Sequence, residues 1–231
     1  AALDASAELA EERLGGPGIW LTAIPVTGAG GMNTVWRSVR NGVEPIVWPG
    51  VAGATHFDGG SILPSVRAVR ARASAEGLRA YTSLVPTQIA RLLQFANAND
   101  ADSIETLRVL ATLDGVLVGA DALSEQLRQA ARSYGIPCIT TYGATETSGG
   151  CIYEHRPLGN TRVSFDETGR IIIAGPTVGV RYQDGSAGLS QREWHSNDIG
   201  RWDGEKLVLL GRSDDVVKVG GAAIALPAVT A

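Results

Sequence analysis

The sequence predicts an α/β protein, in which a mostly parallel sheet layered with helices is followed by a small antiparallel β subdomain. Short apolar runs alternate with segments of helical periodicity over residues 1–149, which is the pattern of a parallel sheet covered on both faces. After Gly150 the helical periodicity stops and hairpin patterns follow. Hydrophobic residues make up 44% of the 231 residues and charged residues 19%, so the chain has enough apolar material for a core.

Strands and helices are expected to alternate through the first part of the chain. Buried strands are predicted at 19–26, 43–48, 79–85, 114–120 and 137–142. Helices are predicted at 3–14, 32–41, 61–76, 87–96 and between Ser124 and Gly135. The ends carry the usual signals, because Pro86 suits a first helical turn, Ser124 is a good N-cap and Gly135 is a good stop. Pro64 is expected in the first turn of its helix.

The second part is predicted to be antiparallel. Residues 161–175 and 200–211 each contain two apolar runs around a turn, and the second hairpin turns at Asp203-Gly204. The expected organisation is therefore an α/β subdomain at 1–149 and an antiparallel β subdomain at 150–211.

Composition excludes several classes of function. The formal net charge of −4 argues against nucleic-acid binding, which usually needs a basic excess. The chain has no signal peptide and no apolar run of membrane-spanning length, so we expect a cytoplasmic protein without membrane contact. Two cysteines, Cys138 and Cys151, do not make a disulfide framework or a zinc site, and the three histidines lack metal-ligand spacing.

The stretch TTYGATETSGG at 140–150 is the first candidate site. It follows a predicted strand, and ligands of open α/β sheets bind beyond the carboxyl ends of the strands. Its glycines, Gly143, Gly149 and Gly150, let backbone amides approach a ligand. Its threonines offer neutral donors for phosphate oxygens, at Thr145 and Thr147, and the lone carboxylate of Glu146 suits Mg²⁺. The alternative is a threonine-rich turn that caps its own backbone.

Four motifs carry a resemblance to a known family. They are Tyr-Gly-Ala-Thr-Glu at 142–146, Asp198 in HSNDIGRW, GRSDDVVKVGG at 211–221 and LVGADAL at 117–123. With the first three in this order and spacing, and the fourth upstream of them, the chain resembles the adenylate-forming superfamily, the acyl-CoA synthetases and their relatives. The resemblance implies that 212–231 is a hinge and the start of a truncated C-terminal domain.

The resemblance also implies roles for individual residues. Tyr142 would stack on adenine, and Asp198 with Arg212 would bind the ribose. Thr145 and Glu146 would be catalytic, holding the α-phosphate and Mg²⁺ respectively, and Asp214 would be the hinge. The further nucleotide-binding positions implied are Gly119, Ala120, Asp121, Thr141, Gly143 and Ala144. The implied reaction joins a small carboxylic acid to ATP, giving an acyl-adenylate from which coenzyme A then displaces AMP.

Two segments favour one branch of this superfamily. Residues 148–163 and 81–88 resemble the actinobacterial o-succinylbenzoate–CoA ligases of menaquinone biosynthesis. The implied acyl-substrate residues are Thr27, Pro86, Ser148, Gly149 and Gly150. The chain departs from the pattern at 27–31, where such enzymes often carry His-His-x-x-Gly, and at Ser196-Asn197 and Ala120. Another aryl- or acyl-CoA synthetase, and a non-catalytic nucleotide-binding remnant, are the alternatives.

The stretch VTGAGGMN at 26–33 imitates a dinucleotide-binding turn. Asn33 stands where the third glycine belongs, and no acidic residue ends the next predicted strand. We therefore expect a tight loop beside the acyl pocket. The resemblance places the phosphate loop before residue 1 and the catalytic lysine after residue 231, so weak nucleotide binding and poor turnover are expected. A homodimer is possible, as dimers are common among relatives.

Overall fold

The computed structural model describes residues 1–53, 56–219 and 222–225. Its helices are α1 (Ala2–Leu14), α2 (Ala29–Arg40), α3 (Gly59–Glu76), α4 (Pro86–Asn97), α5 (Ala101–Leu110) and α6 (Glu125–Ser133), with a 3₁₀ turn at Pro49–Ala52. Its first strands are β1 (Gly18–Thr22), β2 (Ile46–Val47), β3 (Arg79–Leu84), β4 (Gly115–Val118), β5 (Cys138–Ala144), β6 (Gly149–Tyr153) and β7 (Arg156–Pro157). The later strands are β8 (Arg162–Phe165), β9 (Arg170–Ala174), β10 (Leu189–Ser190), β11 (Glu193–Asp203), β12 (Lys206–Arg212), β13 (Val216–Val219) and β14 (Ala222–Ala225). Among the described residues, no helix has the length and hydropathy needed to cross a membrane.

The first sheet has seven strands in the order β2-β1-β3-β4-β5-β6-β7. Strands β1 to β5 pair in parallel, and β6 and β7 add antiparallel. Successive side chains of a strand point to opposite faces, and β1 shows the result. Ile19 and Leu21 enter a core shared with α3 to α6, whereas Trp20 enters a second core beneath α1. Helices therefore cover both faces of this sheet.

The second sheet is antiparallel, in the order β10-β11-β9-β8, and β12 also pairs with β11. Its core combines Ile171, Ile173 and Leu207 with Cys151 and Ile152 of β6. The two sheets thus share a packed boundary at β6.

The predicted fold class is confirmed, since a mostly parallel sheet with helices precedes an antiparallel sheet. Both predicted hairpins form, as β8–β9 and β11–β12. The first sheet continues through β6 and β7 to Pro157. The boundary between the two subdomains at 149/150 stays a prediction. The first sheet continues across this boundary.

Two local expectations need correction, and one helix was not predicted. Helix α2 begins at Ala29, so Gly30 and Gly31 of VTGAGGMN lie in its first turn, Gly28 is its N-cap, and only the residues before it form a loop. Pro64 lies inside α3 and not in its first turn, because the helix starts at Gly59. Helix α5 was not predicted, although Asp100 caps it by accepting from the Ser103 amide at 2.8 Å.

Candidate nucleotide-binding site

A cleft of about 1470 Å³ separates the carboxyl ends of β4 and β5 from strands β11 and β12. One side comes from residues 118–123 and 140–146, and the other from residues 194–198 and 207–212. The predicted nucleotide residues that line it are Ala120, Asp121, Thr141, Tyr142, Gly143, Ala144, Glu146, Asp198 and Arg212. Gly119 and Thr145 are not among the lining residues. The fold therefore brings most of the predicted set to one cavity.

Tyr142 joins the two sides of the cleft. It lies on β5, and its hydroxyl donates to Oδ2 of Asp198 on β11 at 2.6 Å. Burial, reinforced by the Asp198 carboxylate, raises the pKa of Tyr142 far above its ordinary value, so the hydroxyl stays protonated and remains a donor. The hydrogen bond thereby holds the aromatic ring in the wall of the cleft.

Asp198 and Arg212 are placed by strand pairing. The register of β11 and β12 sets the two residues opposite each other, and a guanidinium nitrogen of Arg212 lies 3.4 Å from Oδ1 of Asp198. Arg212 also makes a two-pronged ion pair with Asp214, at 2.8 and 2.7 Å, and this holds the pKa of the Asp214 carboxyl below its usual range. Asn197 donates to the same Asp214 carboxylate at 3.2 Å.

The predicted hinge residue Asp214 is thus tied to β11 and β12 in this conformation. Its role as a hinge stays a prediction, and Gly220 and Gly221 of the hinge motif lie outside the described residues.

The loop after β4 approaches β5 closely. A Cβ on Gly119 would lie 2.5 Å from the Thr141 hydroxyl, so only glycine fits there without a shift. The next residue, Ala120, has φ of 71°, the left-handed region that a side chain adopts at a cost. Ala120, which stands where the family pattern has glycine, therefore has a strained backbone in the wall of the cleft.

The turn between β5 and β6 gives its threonines different surroundings. Thr147 is fully buried, and its hydroxyl accepts from the Ala144 amide at 2.8 Å and contacts the Gly149 carbonyl at 2.7 Å. The expectation that Thr147 offers a donor to phosphate is therefore wrong, because its hydroxyl caps the turn. Thr145 is exposed, and its predicted contact with the α-phosphate stays a prediction.

Glu146 faces the cleft from this turn. Its Oε1 accepts a hydrogen bond from the Tyr182 hydroxyl at 2.7 Å, and the Gly179 amide donates to its backbone carbonyl at 2.7 Å. Among the described residues no group of three or more acidic, histidine or cysteine side chains forms a metal cluster. A single carboxylate nevertheless fits Mg²⁺, which keeps several waters and uses one or two carboxylates together with substrate phosphates.

The predicted acyl-substrate residues lie away from this cavity. Thr27 is exposed in the loop before α2, and Pro86 is buried at the start of α4. Gly150 of β6 pairs with Gly143 of β5. Ser148 and Gly149 are buried beneath α1 and α2. None of the five lines the cleft, and their role stays a prediction.

The backbone at Ser148 is held by side chains whose contacts were not predicted from the sequence. Its carbonyl accepts from the Asn33 amide at 2.7 Å and from the Ser6 hydroxyl at 2.9 Å. One turn further along α2, Arg37 is 2% exposed, stacks 4.7 Å from the Trp20 ring and donates to the Tyr153 hydroxyl. Helix α2 therefore packs against the β5–β6 hairpin, which carries the Tyr-Gly-Ala-Thr-Glu motif, and holds it in place.

The contacts of Tyr182 with Glu146 and of Asn33 with Ser148 were not predicted from the sequence. Each lies far along the chain from its partner, at 36 residues for Tyr182 and Glu146 and 115 for Asn33 and Ser148. Neither residue belongs to a local motif that would have signalled its contact.

Comparison with known proteins identifies the family of the chain. The chain matches the family described as AMP-binding enzyme over residues 24–186. It is 37% identical over 227 residues to the probable 2-succinylbenzoate–CoA ligase of Mycobacterium tuberculosis, covering 96% of this chain and 55% of that protein. It is 24% identical over 230 residues to the indoleacetate–CoA ligase of Aromatoleum aromaticum, covering 87% of this chain and 41% of that protein.

The fold is similar to that of O-succinylbenzoate coenzyme A synthetase from Bacillus subtilis solved with AMP. The TM-score is 0.74 at 21% sequence identity, with 97% of this chain and 47% of that one covered. The chain spans about half the length of the curated relatives it matches, from 41% to 55%. The predicted resemblance to adenylate-forming ligases is confirmed, and the chain belongs to the AMP-binding enzyme family.

Proposed function

We propose that this chain forms the nucleotide-holding part of an ATP-dependent acid–CoA ligase. The observation that carries the proposal is the pairing of Tyr142 with Asp198 across the cleft, at 2.6 Å. An aromatic ring on one wall and a carboxylate on the other match the two ends of a nucleoside, because a base stacks on a ring and a ribose diol donates to a carboxylate.

The proposed binding mode follows the walls of the cleft. Adenine lies between the Tyr142 ring and the backbone of residues 119–121, and the ribose hydroxyls bind Asp198. On entering, the ribose takes over or shares the carboxylate that Tyr142 occupies. The α-phosphate then points toward the turn that carries Thr145 and Glu146.

Charge in the cleft explains why a cation is needed. The arginines that line it are already paired with carboxylates, Arg128 with Glu154, Arg170 with Asp166 and Arg212 with Asp214. Both reactants of adenylate formation are anions, so catalysis depends on positioning and charge neutralisation. Mg²⁺ bound with Glu146 and the phosphates supplies part of that neutralisation.

The proposed residues position the first half-reaction. Tyr142 and Asp198 fix the nucleoside, Thr145 donates to an α-phosphate oxygen, and a substrate carboxylate attacks the α-phosphorus as pyrophosphate leaves. Coenzyme A is the proposed co-substrate, whose thiolate displaces AMP from the acyl-adenylate.

For the acid, we propose o-succinylbenzoate, with a role in menaquinone biosynthesis. The support is the 37% identity to the mycobacterial ligase over almost the whole chain. The second candidate is another aryl acid, which the similarity to an indoleacetate ligase favours. A homodimer stays a prediction.

The first experiment measures AMP and ATP binding to the 231-residue chain by calorimetry, with and without Mg²⁺. We expect AMP to bind and Mg²⁺ to strengthen ATP binding, and Glu146→Gln to remove the Mg²⁺ effect while leaving the melting temperature unchanged. A chain that binds neither nucleotide would contradict the nucleotide site.

The second experiment measures carboxylate-dependent exchange of pyrophosphate into ATP. Exchange with o-succinylbenzoate supports the proposed acid. Exchange with indoleacetate or benzoate alone would favour the second candidate, and nucleotide binding without exchange for any acid would favour a non-catalytic nucleotide-binding protein.

A further inference from the structure

Glu146 is held by a segment far from it in the sequence. Tyr182 lies in the connection between β9 and β10, and its hydroxyl donates to Glu146 Oε1 at 2.7 Å. The Gly179 amide, in the same connection, donates to the Glu146 carbonyl at 2.7 Å. This one connection therefore grips both the main chain and the carboxylate of Glu146.

The base of that connection is anchored in the second core. Val178 is fully buried and packs with Leu189 of β10. A Cβ on Gly179 would lie 3.2 Å from Leu189 and 3.5 Å from the Glu146 carbonyl, so the connection approaches the motif turn closely. Tyr182 thus extends from a fixed base, and its hydroxyl reaches Glu146 from a defined direction.

The two carboxylate oxygens of Glu146 have different surroundings. Oε1 is occupied by Tyr182, whereas Oε2 has no hydrogen-bond partner within the described part of the chain. We propose that Tyr182 is a positioning residue, which orients Glu146 so that Oε2 is presented to the Mg²⁺ that accompanies ATP. This inference rests on the proposed function and adds a residue on the second sheet to the metal site.

The physical reason is the freedom of a glutamate side chain. Without the Tyr182 hydroxyl, three rotatable bonds let the carboxylate leave the direction of the metal. Partners that orient metal-binding groups typically change metal affinity by about 10- to 100-fold. Because the cleft's arginines are already paired with carboxylates, no spare guanidinium within the lining replaces a lost cation.

The test is Tyr182→Phe in the 231-residue chain, with ATP affinity measured by calorimetry across a Mg²⁺ titration. The Mg²⁺ concentration that gives the half-maximal effect should rise about 10-fold. AMP affinity in the presence of a chelator should stay unchanged, because it does not depend on the carboxylate. Tyr134→Phe is the matched control, since Tyr134 packs against the first core outside the cleft, and it should leave both values unchanged.

A double variant tests whether Tyr182 changes the Mg²⁺ dependence through Glu146. In a Glu146→Gln background, Tyr182→Phe should have no further influence on the Mg²⁺ dependence. The inference is overturned by an unchanged Mg²⁺ midpoint in Tyr182→Phe, or by a matching loss of AMP affinity, which indicates general damage. If wild-type chain binds AMP but shows no Mg²⁺ effect, the inference fails and the nucleotide site stands; if it binds neither nucleotide, both fail.

Discussion

The two walls of the cleft hold their functional side chains in different ways. On the first wall, the turn with Glu146 is secured by the fully buried Thr147, and α2 grips the Ser148 carbonyl from behind. On the second wall, Arg212 and Asp214 are each 49% exposed and are held by ion pairs at the surface. Exposed ion pairs contribute little to stability because water and salt screen them.

Because of this difference, we expect substitutions in the two walls to affect different properties, stability in the first and ligand binding in the second. Substitutions that disturb the packing of the β5–β6 hairpin in the first wall should lower the free energy of unfolding, because the hairpin holds the site's turn in place. Substitutions in the second wall should change ligand binding and leave the fold nearly intact. Four measurements test this contrast, in order of decreasing expected effect.

The largest effect is expected for glycine-to-alanine changes in the two hairpins. A Cβ on Gly143 would lie 2.1 Å from the Gly149 carbonyl oxygen, so Gly143→Ala must push two strands apart. We expect a loss of about 3 kcal/mol in the free energy of unfolding. In the β11–β12 hairpin, Gly204 has φ of 57° with nothing within 4 Å of a Cβ, so Gly204→Ala should lose only about 1 kcal/mol. Urea denaturation measures both, and equal losses would contradict the contrast.

The next effect concerns Asp198 on the second wall. Asp198→Asn keeps the shape but removes the charge that, in the proposed binding mode, accepts from the ribose hydroxyls, so AMP should bind about 10-fold more weakly. The melting temperature should change little. Asp203→Asn, at the exposed end of the same strand and outside the cleft, is the control that removes the same charge. An equal loss of AMP affinity in both variants would point to long-range charge and not to contact.

A smaller effect is expected at Ala120 on the first wall. Because its φ is 71°, Ala120→Gly should relieve backbone strain and raise the free energy of unfolding by about 0.5 kcal/mol after the entropy cost of glycine. Ala122→Gly is the matched control, since Ala122 is not among the residues with positive φ, and it should lower stability by about 0.5 kcal/mol. Losses in both variants would show that the strain at Ala120 has no energetic weight.

The smallest effect distinguishes two thiols. Burial raises the pKa of Cys138 from 9.0 to about 11 and that of Cys151 to about 12. The unfolded chain therefore ionises first, so this stability is fully present below pH 9.0 and declines as the pH rises through 11 and 12. Alkylation of the native protein should be slow at pH 8 and should reach the partly buried Cys138 before the fully buried Cys151. Faster reaction at Cys151 would show that the hairpin opens first.

Most of the fold was open to prediction from local patterns. Apolar runs located the five parallel strands of the first sheet, and Asp203-Gly204 located the β11–β12 turn, because each pattern acts over a few residues. The antiparallel strands β6 and β7 of the same sheet were not predicted. Helix α5 was missed although its signals were present, with Asp100 as cap and Leu107 and Leu110 on its buried face. The start of α2 was misplaced because glycine has a low helix propensity, whereas the helix includes Gly30 and Gly31.

The site was predictable in part. The resemblance to adenylate-forming enzymes named Tyr142, Glu146, Asp198 and Arg212, and the structure brings all four to one cleft. Thr145 and Thr147 look alike in sequence, yet Thr147 is buried and Thr145 is exposed. They differ because the Thr147 hydroxyl points into the turn and contacts the backbone of Ala144 and Gly149.

By itself, the sequence determined the order of strands and helices, the turns and the residue types offered to a nucleotide, because these depend on neighbours along the chain. Only the tertiary structure decided that Tyr142 meets Asp198 across 56 residues and that Tyr182 meets Glu146 across 36. Such contacts arise where two sheets pack around a common core at β6. Their geometry is set by long-range packing, which leaves no periodic signal in the sequence.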